Sequence, residues 1–227
     1  MEETSVPCEQ ESSLQMTRKE DFTNKRYGYF FIKRCFDFVS ALALLILVSP
    51  IILVIAIAIK LDSKGPVFFK HMRVGKLGVS LPTYKFRTMV INAEELLQKL
   101  TPEQKKEYEM NFKLENDQRI TKVGKFLRKT SLDELPQLFN IIKGNMSVVG
   151  PRPIINKELK KFGDNVDKLL SVKPGLTGYW QANGRSNTTY EERVNMELYY
   201  IDHCGIWLDI KIIFQTVGAV IRKEGAK

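Results

Sequence analysis

Asp133 and Glu134 are neighbouring acids in the stretch Ser131-Leu132-Asp133-Glu134-Leu135-Pro136. At a helix start both would feel the positive end of the helix dipole and stay ionised. One could then bind a cation while the other attacks phosphorus, because Mg²⁺ accepts one or two protein carboxylates together with substrate phosphate oxygens. The same residues also spell a capping box, S-x-x-E, ahead of the apolar run Leu135, Leu138, Phe139, Ile141 and Ile142, so an ordinary helix start fits them too. Pro136 complicates that start, since it falls beyond the permissive first position and removes a helical hydrogen bond to Leu132. Irregular backbone of this kind is common where a chain is shaped for chemistry.

Cations that would suit phosphate surround the pair in the sequence. Arg128 precedes Asp133 by five residues, and Gly150-Pro151-Arg152-Pro153 fixes an arginine between two prolines. Lys173-Pro174-Gly175 and Gly184-Arg185 place further cations in turns. A proline-flanked arginine is an ordinary surface-turn residue, but rigid presentation of a guanidinium also suits bidentate phosphate binding. Neither G-x-x-x-x-G-K-[ST] nor a G-x-G-x-x-G after a strand occurs, so arginines would replace the glycine amides of a phosphate cradle. Tyr179-Trp180 fits base stacking, a membrane interface or a buried aromatic pair. With only His71 and His203, and with Cys8, Cys35 and Cys204 forming no C-x-x-C pair, neither a histidine-based triad nor a thiolate zinc site is favoured. The odd thiol count points to a reducing compartment.

These residues need elements to hold them, and the chain has 227 residues, enough for one domain and a membrane element. Net charge is +9, which suits phosphate-rich partners. Seven basic residues (Lys60, Lys64, Lys70, Arg73, Lys76, Lys85 and Arg87) against Asp62 follow directly on an apolar run, which favours a membrane surface over nucleic acid. That run, Phe38 to Ile59, has 22 uncharged residues, which as a straight helix would extend roughly 33 Å and could cross a bilayer core. Ser49-Pro50 in its middle predicts a sharp bend, with Ser49 free to bond a carbonyl that the proline leaves open. Both flanks are basic, so the residues alone leave a spanning and a re-entrant helix equally open.

Residues 1–28 read as a flexible extension without a signal peptide. Val67 to Phe69 and Leu81 to Phe86 read as short strands around a Gly75 to Gly78 turn, with Pro82 confining the second to an edge. Asn92 can cap a helix to about Leu100, and Thr101-Pro102-Glu103-Gln104 is another capping box. Ile206, Ile210, Ile213 or Phe214, Val217 and Val220 or Ile221 recur at helical spacing. That stripe fits a core-facing helix, or, with Trp207 and the basic end Arg222-Lys223, one lying on a membrane.

The order of these motifs resembles the monotopic phosphoglycosyl transferases, also called bacterial sugar transferases or polyprenyl-phosphate hexose-1-phosphate transferases, from about Tyr29 to Val220. The matching residues include Lys33-Arg34-x-x-Asp37, Ser49-Pro50, Arg73-Val74-Gly75, Tyr84-Lys85-Phe86-Arg87-Thr88-Met89, Leu132-Asp133-Glu134-Leu135-Pro136-Gln137, Val149-Gly150-Pro151-Arg152-Pro153 and Trp207-Leu208-Asp209-Ile210. His71 stands where a glutamine is usual, and Pro82 interrupts the strand leading to Tyr84.

The resemblance implies an α/β, mostly helical protein. It would comprise a re-entrant membrane helix at 29–61, bent at Ser49-Pro50, and a small cytosolic catalytic domain at 62–227 with interfacial amphipathic helices. By motif match Asp133 is the nucleophile and Glu134 binds Mg²⁺, with Asp133 also within the metal's reach. Lys85, Arg87, Arg128, Arg152 and Arg185 are the implied substrate-binding cations. The implied reaction moves hexose 1-phosphate from a UDP-sugar to polyprenyl (undecaprenyl) phosphate through an aspartyl-phosphosugar. It releases UMP at the cytoplasmic face of the bacterial plasma membrane and starts a capsule, exopolysaccharide or other surface glycan. A UDP-N-acetylated amino sugar is the alternative donor. A noncatalytic protein that recruits anionic lipid or nucleic acid is the alternative of a different class.

Overall fold

The apolar run forms the middle of helix α1 (Tyr27–Asp62), 36 residues in which an 18-residue window has a mean hydropathy of 3.2. By length and composition it can cross a membrane. Only a narrow stripe of it touches the rest of the protein: Asp37, Ala41, Ile55 and Ile59 are buried, and Leu45, Val48 and Ile52 pack beside them. The spacing of three and four residues keeps these side chains on one face. The other faces are as apolar but bare, with Leu47 75% and Val54 65% exposed.

Helical assignment continues through Ser49-Pro50, so the adjustment expected there is local. Proline cannot donate to the carbonyl four residues back, which belongs to Ile46. Ser49 Oγ donates to that Ile46 oxygen at 2.8 Å and so satisfies the group the proline leaves open.

Both ends of α1 are tied to one body. Near its start Lys33 pairs with Asp209 at 2.6 Å, and Tyr29 donates to the same carboxylate at 2.8 Å. Arg34 donates to the carbonyls of Ile141 and Ile142, and Asp37 accepts from the Val148 N–H at 2.9 Å. At the far end Asp62 accepts from the Val123 N–H at 3.1 Å. The chain leaving α1 is clamped by Arg87, whose three guanidinium nitrogens donate to the carbonyls of Ser63, Lys64 and Pro66 at 2.7 to 2.8 Å.

The computed structural model describes residues 26–101, 103–105, 114, 117–184 and 188–221. Residues 1–25 of the expected N-terminal extension, Pro102, Arg185 and the basic end at Arg222-Lys223 lie outside them, while Tyr27 and Gly28, read as part of the extension, begin α1. After α1 come strands β1 (Phe68–Val74) and β2 (Ser80–Phe86), then helices α2 (Ala93–Gln98), α3 (Lys122–Thr130) and α4 (Leu138–Ile142). Strand β3 (Ser147–Val149), helices α5 (Asn156–Leu159) and α6 (Val166–Leu170), and strand β4 (Gly175–Thr177) follow. Helices α7 (Tyr179–Asn183), α8 (Tyr190–His203) and α9 (Ile206–Ile221) complete the described chain. Helices predominate, and the sheets are small, as the family resemblance implied.

β1 and β2 form an antiparallel hairpin, with Phe69 opposite Lys85 and Met72 opposite Pro82. The first strand runs five residues beyond the segment read from the sequence, because Lys70 to Val74 continue the pairing across to Ser80. Asn140 of α4 borders β2, accepting from the Tyr84 N–H and donating to the Pro82 carbonyl. β3 and β4 pair in parallel through Ser147 with Gly175 and Val149 with Thr177. Gly150 and Gly175 pack so closely there that a Cβ on Gly150 would meet the Lys173 oxygen at 2.6 Å. With the Gly175 N–H donating to the Pro151 carbonyl at 2.8 Å, this contact fixes the start of the loop that carries Arg152.

Two expected caps are absent. Asn92 precedes α2 without a side-chain cap, and α2 ends at Gln98. Ser131 is not the N-cap of a capping box: it adopts left-handed geometry, φ 57°, as the C-cap of α3, and its side chain caps nothing. Leu132–Gln137 is consequently a 3₁₀ turn, a geometry compatible with Pro136, which cannot supply the α-helical bond. The stripe read on α9 faces outward, with Ile206 46%, Phe214 73% and Val217 52% exposed beside Trp207 at 84%. The buried side of α9 is instead Asp209, Ile212 and Ala219.

Candidate active site

The 3₁₀ turn lays Asp133 and Glu134 against the end of β2, where Lys85 projects between them. Lys85 Nζ lies 2.6 Å from Glu134 Oε1 and 3.6 Å from Asp133 Oδ2. All three side chains keep some exposure, 20% for Lys85, 13% for Asp133 and 25% for Glu134, so the pair is sheltered but reachable.

The two carboxyls titrate in opposite directions. Burial raises that of Asp133, and the like charge of Glu134 adds to this, while Lys85 and Arg128 only partly offset it. Burial acts on Glu134 too, but there Lys85 and Arg152 outweigh it and hold the group below its ordinary value. Glu134 is therefore a fixed anion, and Asp133 is the more basic carboxylate, the property that favours attack on phosphorus once it is ionised.

Cations frame this pair from several elements. Arg128 on the last turn of α3 donates through Nε to Thr88 Oγ1 at 2.9 Å, which aims its charge at Asp133. Arg152 reaches the site from the β3 to α5 loop, and its charge is felt at Glu134. Arg73 of β1 also acts on Glu134 and is steadied by Glu158 of α5 at 3.6 Å. Lys85, Arg128 and Arg152, all named from the sequence, thus converge electrostatically on the acid pair. Arg87 does not join them with a free guanidinium: its three nitrogens are engaged with main-chain carbonyls, a role in holding α1.

Sequence reasoning missed Arg73 as a site cation, and it missed Glu158, Arg193 and Glu197 altogether. Glu158 joins Arg73 to Arg193, which lies 3.2 Å from it. Arg193 is buried over the Trp180 ring at 4.6 Å, and Arg152 lies 5.7 Å from the same ring. Trp180 therefore serves as a platform for guanidinium groups. The available signal was the i, i+4 placement of Arg193 and Glu197 among Val194, Leu198 and Ile201, an apolar context unusual for a solvated face.

No cluster of three or more His, Cys, Asp or Glu side chains able to hold a metal exists among the described residues. Two adjacent carboxylates still fit a hard cation that takes its remaining ligands from a diphosphate substrate and water. They do not fit zinc, which calls for more nitrogen or sulfur donors.

Residues 28–223 match the family described as Bacterial sugar transferase. The chain is 48% identical over 199 residues to the "Undecaprenyl-phosphate galactose phosphotransferase" of Salmonella typhimurium, covering 86% of this chain and 42% of that protein. It is 42% identical over 197 residues to the "Exopolysaccharide production protein ExoY" of Rhizobium meliloti, covering 86% of this chain and 87% of that one. It is also 41% identical over 195 residues to the "UDP-glucose:undecaprenyl-phosphate glucose-1-phosphate transferase" of Escherichia coli, covering 82% and 39% respectively. The chain thus spans about two fifths of the length of two of these relatives and most of the length of the third. With a match across nearly all its described residues, the chain belongs to the bacterial sugar transferase family.

Proposed function

We propose that the protein is a membrane-bound phosphoglycosyl transferase that moves hexose 1-phosphate from a UDP-hexose to undecaprenyl phosphate. The observation that carries this reading is the acid pair bridged by Lys85 and framed by arginines, in a chain of this family. Relatives named for galactose and glucose transfer favour an unmodified hexose.

In the first step an Asp133 Oδ forms a bond to the donor's β-phosphorus, and the bond from that phosphorus to the bridging oxygen breaks with release of UMP. In the second, a phosphate oxygen of undecaprenyl phosphate bonds to the same phosphorus. The acyl phosphate opens, Asp133 is regenerated, and a lipid-linked diphosphate sugar leaves. Lys85, Arg128 and Arg152 neutralise charge that builds on the transferring group, a preorganised contribution of the kind that dominates phosphoryl transfer. Glu134, with Asp133, would hold Mg²⁺, which supplies charge neutralisation at the diphosphate when bound.

The test is a donor panel with undecaprenyl phosphate and Mg²⁺. UMP release and lipid-linked product are expected with UDP-galactose or UDP-glucose. Product from UDP-N-acetyl sugars alone would overturn the hexose assignment, and no UMP from any donor would favour a recruitment protein.

α1 is read as re-entrant in the bacterial inner membrane, with the catalytic body on the cytoplasmic face. Support comes from its two ends, Lys33 with Asp209 and Asp62 with Val123, which are attached to one polar body that a bilayer could not divide. The exposed apolar side of α9 would lie at the interface, with Trp207 at the headgroup level. Thiols introduced near Thr4 or Thr23 should resist a membrane-impermeant reagent added from the periplasm. Labelling there with the Asp133 domain protected would show a spanning helix.

A further inference from the structure

Behind Arg152 lies a polar cluster that the two chemical steps do not use. Glu197 of α8 is 1% exposed, and its Oε1 accepts the main-chain N–H of Arg152 at 3.1 Å. Its other oxygen, Oε2, is buried with no hydrogen-bond partner. One helical turn earlier Arg193, 9% exposed, donates through Nη1 to Glu158, but its Nε and Nη2 are buried and unpartnered. A buried acceptor and two buried donors stand one turn apart without meeting, an arrangement that native interiors rarely tolerate without a functional reason.

The position of Arg152 supplies the reason. Its main chain is fixed by Glu197, its guanidinium lies by the Trp180 ring next to Arg193, and its charge acts on both Glu134 and Glu197. We infer that Glu197 is a positioning residue for the donor: it sets the Arg152 loop from behind and is the counter-charge that Arg152 relinquishes when the donor diphosphate arrives. The inference rests on the transferase reading of the same site.

A proton link follows from this exchange. Burial pushes the Glu197 carboxyl up to about 7, with the Arg152 N–H and the charges of Arg193 and Arg152 pulling it back. Tyr190 on the same helix also feels the Glu197 charge, and Arg193 is itself paired with Glu158, which holds Arg73. His71, whose neighbours include Arg152, is held near 4 by burial and by the cations Arg73, Lys85 and Arg152, so it stays neutral across this range. When diphosphate takes over the charge of Arg152, Glu197 loses part of its compensation and its affinity for a proton rises. Donor binding then takes up a proton, and by linkage the donor binds more tightly as pH falls through 7.

The expected result is a KM for UDP-hexose that increases with pH between 6 and 8.5, by up to about tenfold per unit at the steepest point for one linked proton. Glu197→Gln keeps a neutral group of the same shape, so its KM should be flat and near the low-pH value of the wild type. Glu197→Ala loses the bond to the Arg152 N–H and should raise KM at every pH, about tenfold, a fold-change typical of losing an orienting partner. In both variants kcat should move less than KM, since neither touches Asp133. Circular dichroism and elution volume should match the wild type, which separates positioning from misfolding. A Glu197→Gln profile with the wild-type slope sinks the proposal, as does a Glu197→Ala variant that folds and keeps the wild-type KM. Absence of UMP release by the wild type would instead sink the transferase reading itself.

Discussion

Asp133→Asn is expected to abolish turnover, by about 10⁴-fold or more, and to leave no sugar-phosphate adduct on the protein. The amide is nearly isosteric with the carboxylate but a poor nucleophile, so the fold around the 3₁₀ turn should persist while the bond to phosphorus cannot form. Glu134→Gln should also depress activity severely, for a different reason. It removes the anion that Lys85 holds at 2.6 Å and the carboxylate best suited to a cation, so raised Mg²⁺ should rescue part of its activity and none of that of Asp133→Asn. The measurement is rapid quench and peptide mass spectrometry with UDP-hexose present and undecaprenyl phosphate absent. Wild type should carry the sugar-phosphate mass on the peptide containing Asp133. An adduct that survives in Asp133→Asn, or maps to Glu134, would reverse the roles. Normal wild-type turnover without any adduct would make Asp133 a base or ligand and the acceptor the direct nucleophile.

Lys85→Met should cost about 10²- to 10³-fold in kcat, the range found when one preorganised charge is removed from a developing oxyanion. It should also leave a signature in pH. Burial already raises the Asp133 carboxyl, and Lys85 is the largest influence opposing that rise. Without it two adjacent carboxyls face each other with less compensation, so Asp133 ionises only at higher pH. Activity needs the ionised form, and the acid limb of kcat/KM should therefore move to higher pH than in the wild type. Lys85→Arg should restore the limb more fully than the rate. Its charge remains, but a planar fork cannot occupy the position of an ammonium placed between two carboxylates. An acid limb that stays put in Lys85→Met would show that Lys85 does not govern the ionisation of Asp133.

The residues that could be read from the sequence were those whose local spacing and chemical type agree. Asp133 and Glu134 stood out as adjacent acids, though they lie in a 3₁₀ turn and not at a capped helix start; Arg152 stood out as a cation between prolines, and the hairpin as two strands around glycines, with β1 longer than read. Ser131 misled because a capping box is a pattern of types, whereas the backbone here turns left-handed at φ 57° to end α3. Arg87 misled for a related reason. A guanidinium binds three carbonyls with the same donors it would offer a phosphate, and only the chain's return past Ser63 to Pro66 decides which. Glu197 and Arg193 were invisible because charged residues on a helix ordinarily face water, and their burial depends on β3, α5 and Trp180 arriving from elsewhere. The stripe on α9 was legible as a stripe, but periodicity cannot say whether an apolar face meets a core or lipid.

The ties that hold α1 differ greatly in how far along the chain their partners lie. Asp62 finds the Val123 N–H 61 residues later, Arg34 and Asp37 find Ile141 and Val148 at 107 and 111, and Lys33 waits 176 residues for Asp209. At a synthesis rate of about 5–20 residues per second, the last interval is roughly 10–35 s. If α1 enters the bilayer as proposed, Lys33 of the newly made helix stays unpaired long after the other end has a partner to grip. The partner of the exit end is made first and that of Lys33 last, with those of Arg34 and Asp37 between them. The acid pair emerges before the entry end can dock, so the site gains its carboxylates while α1 is still held at one end.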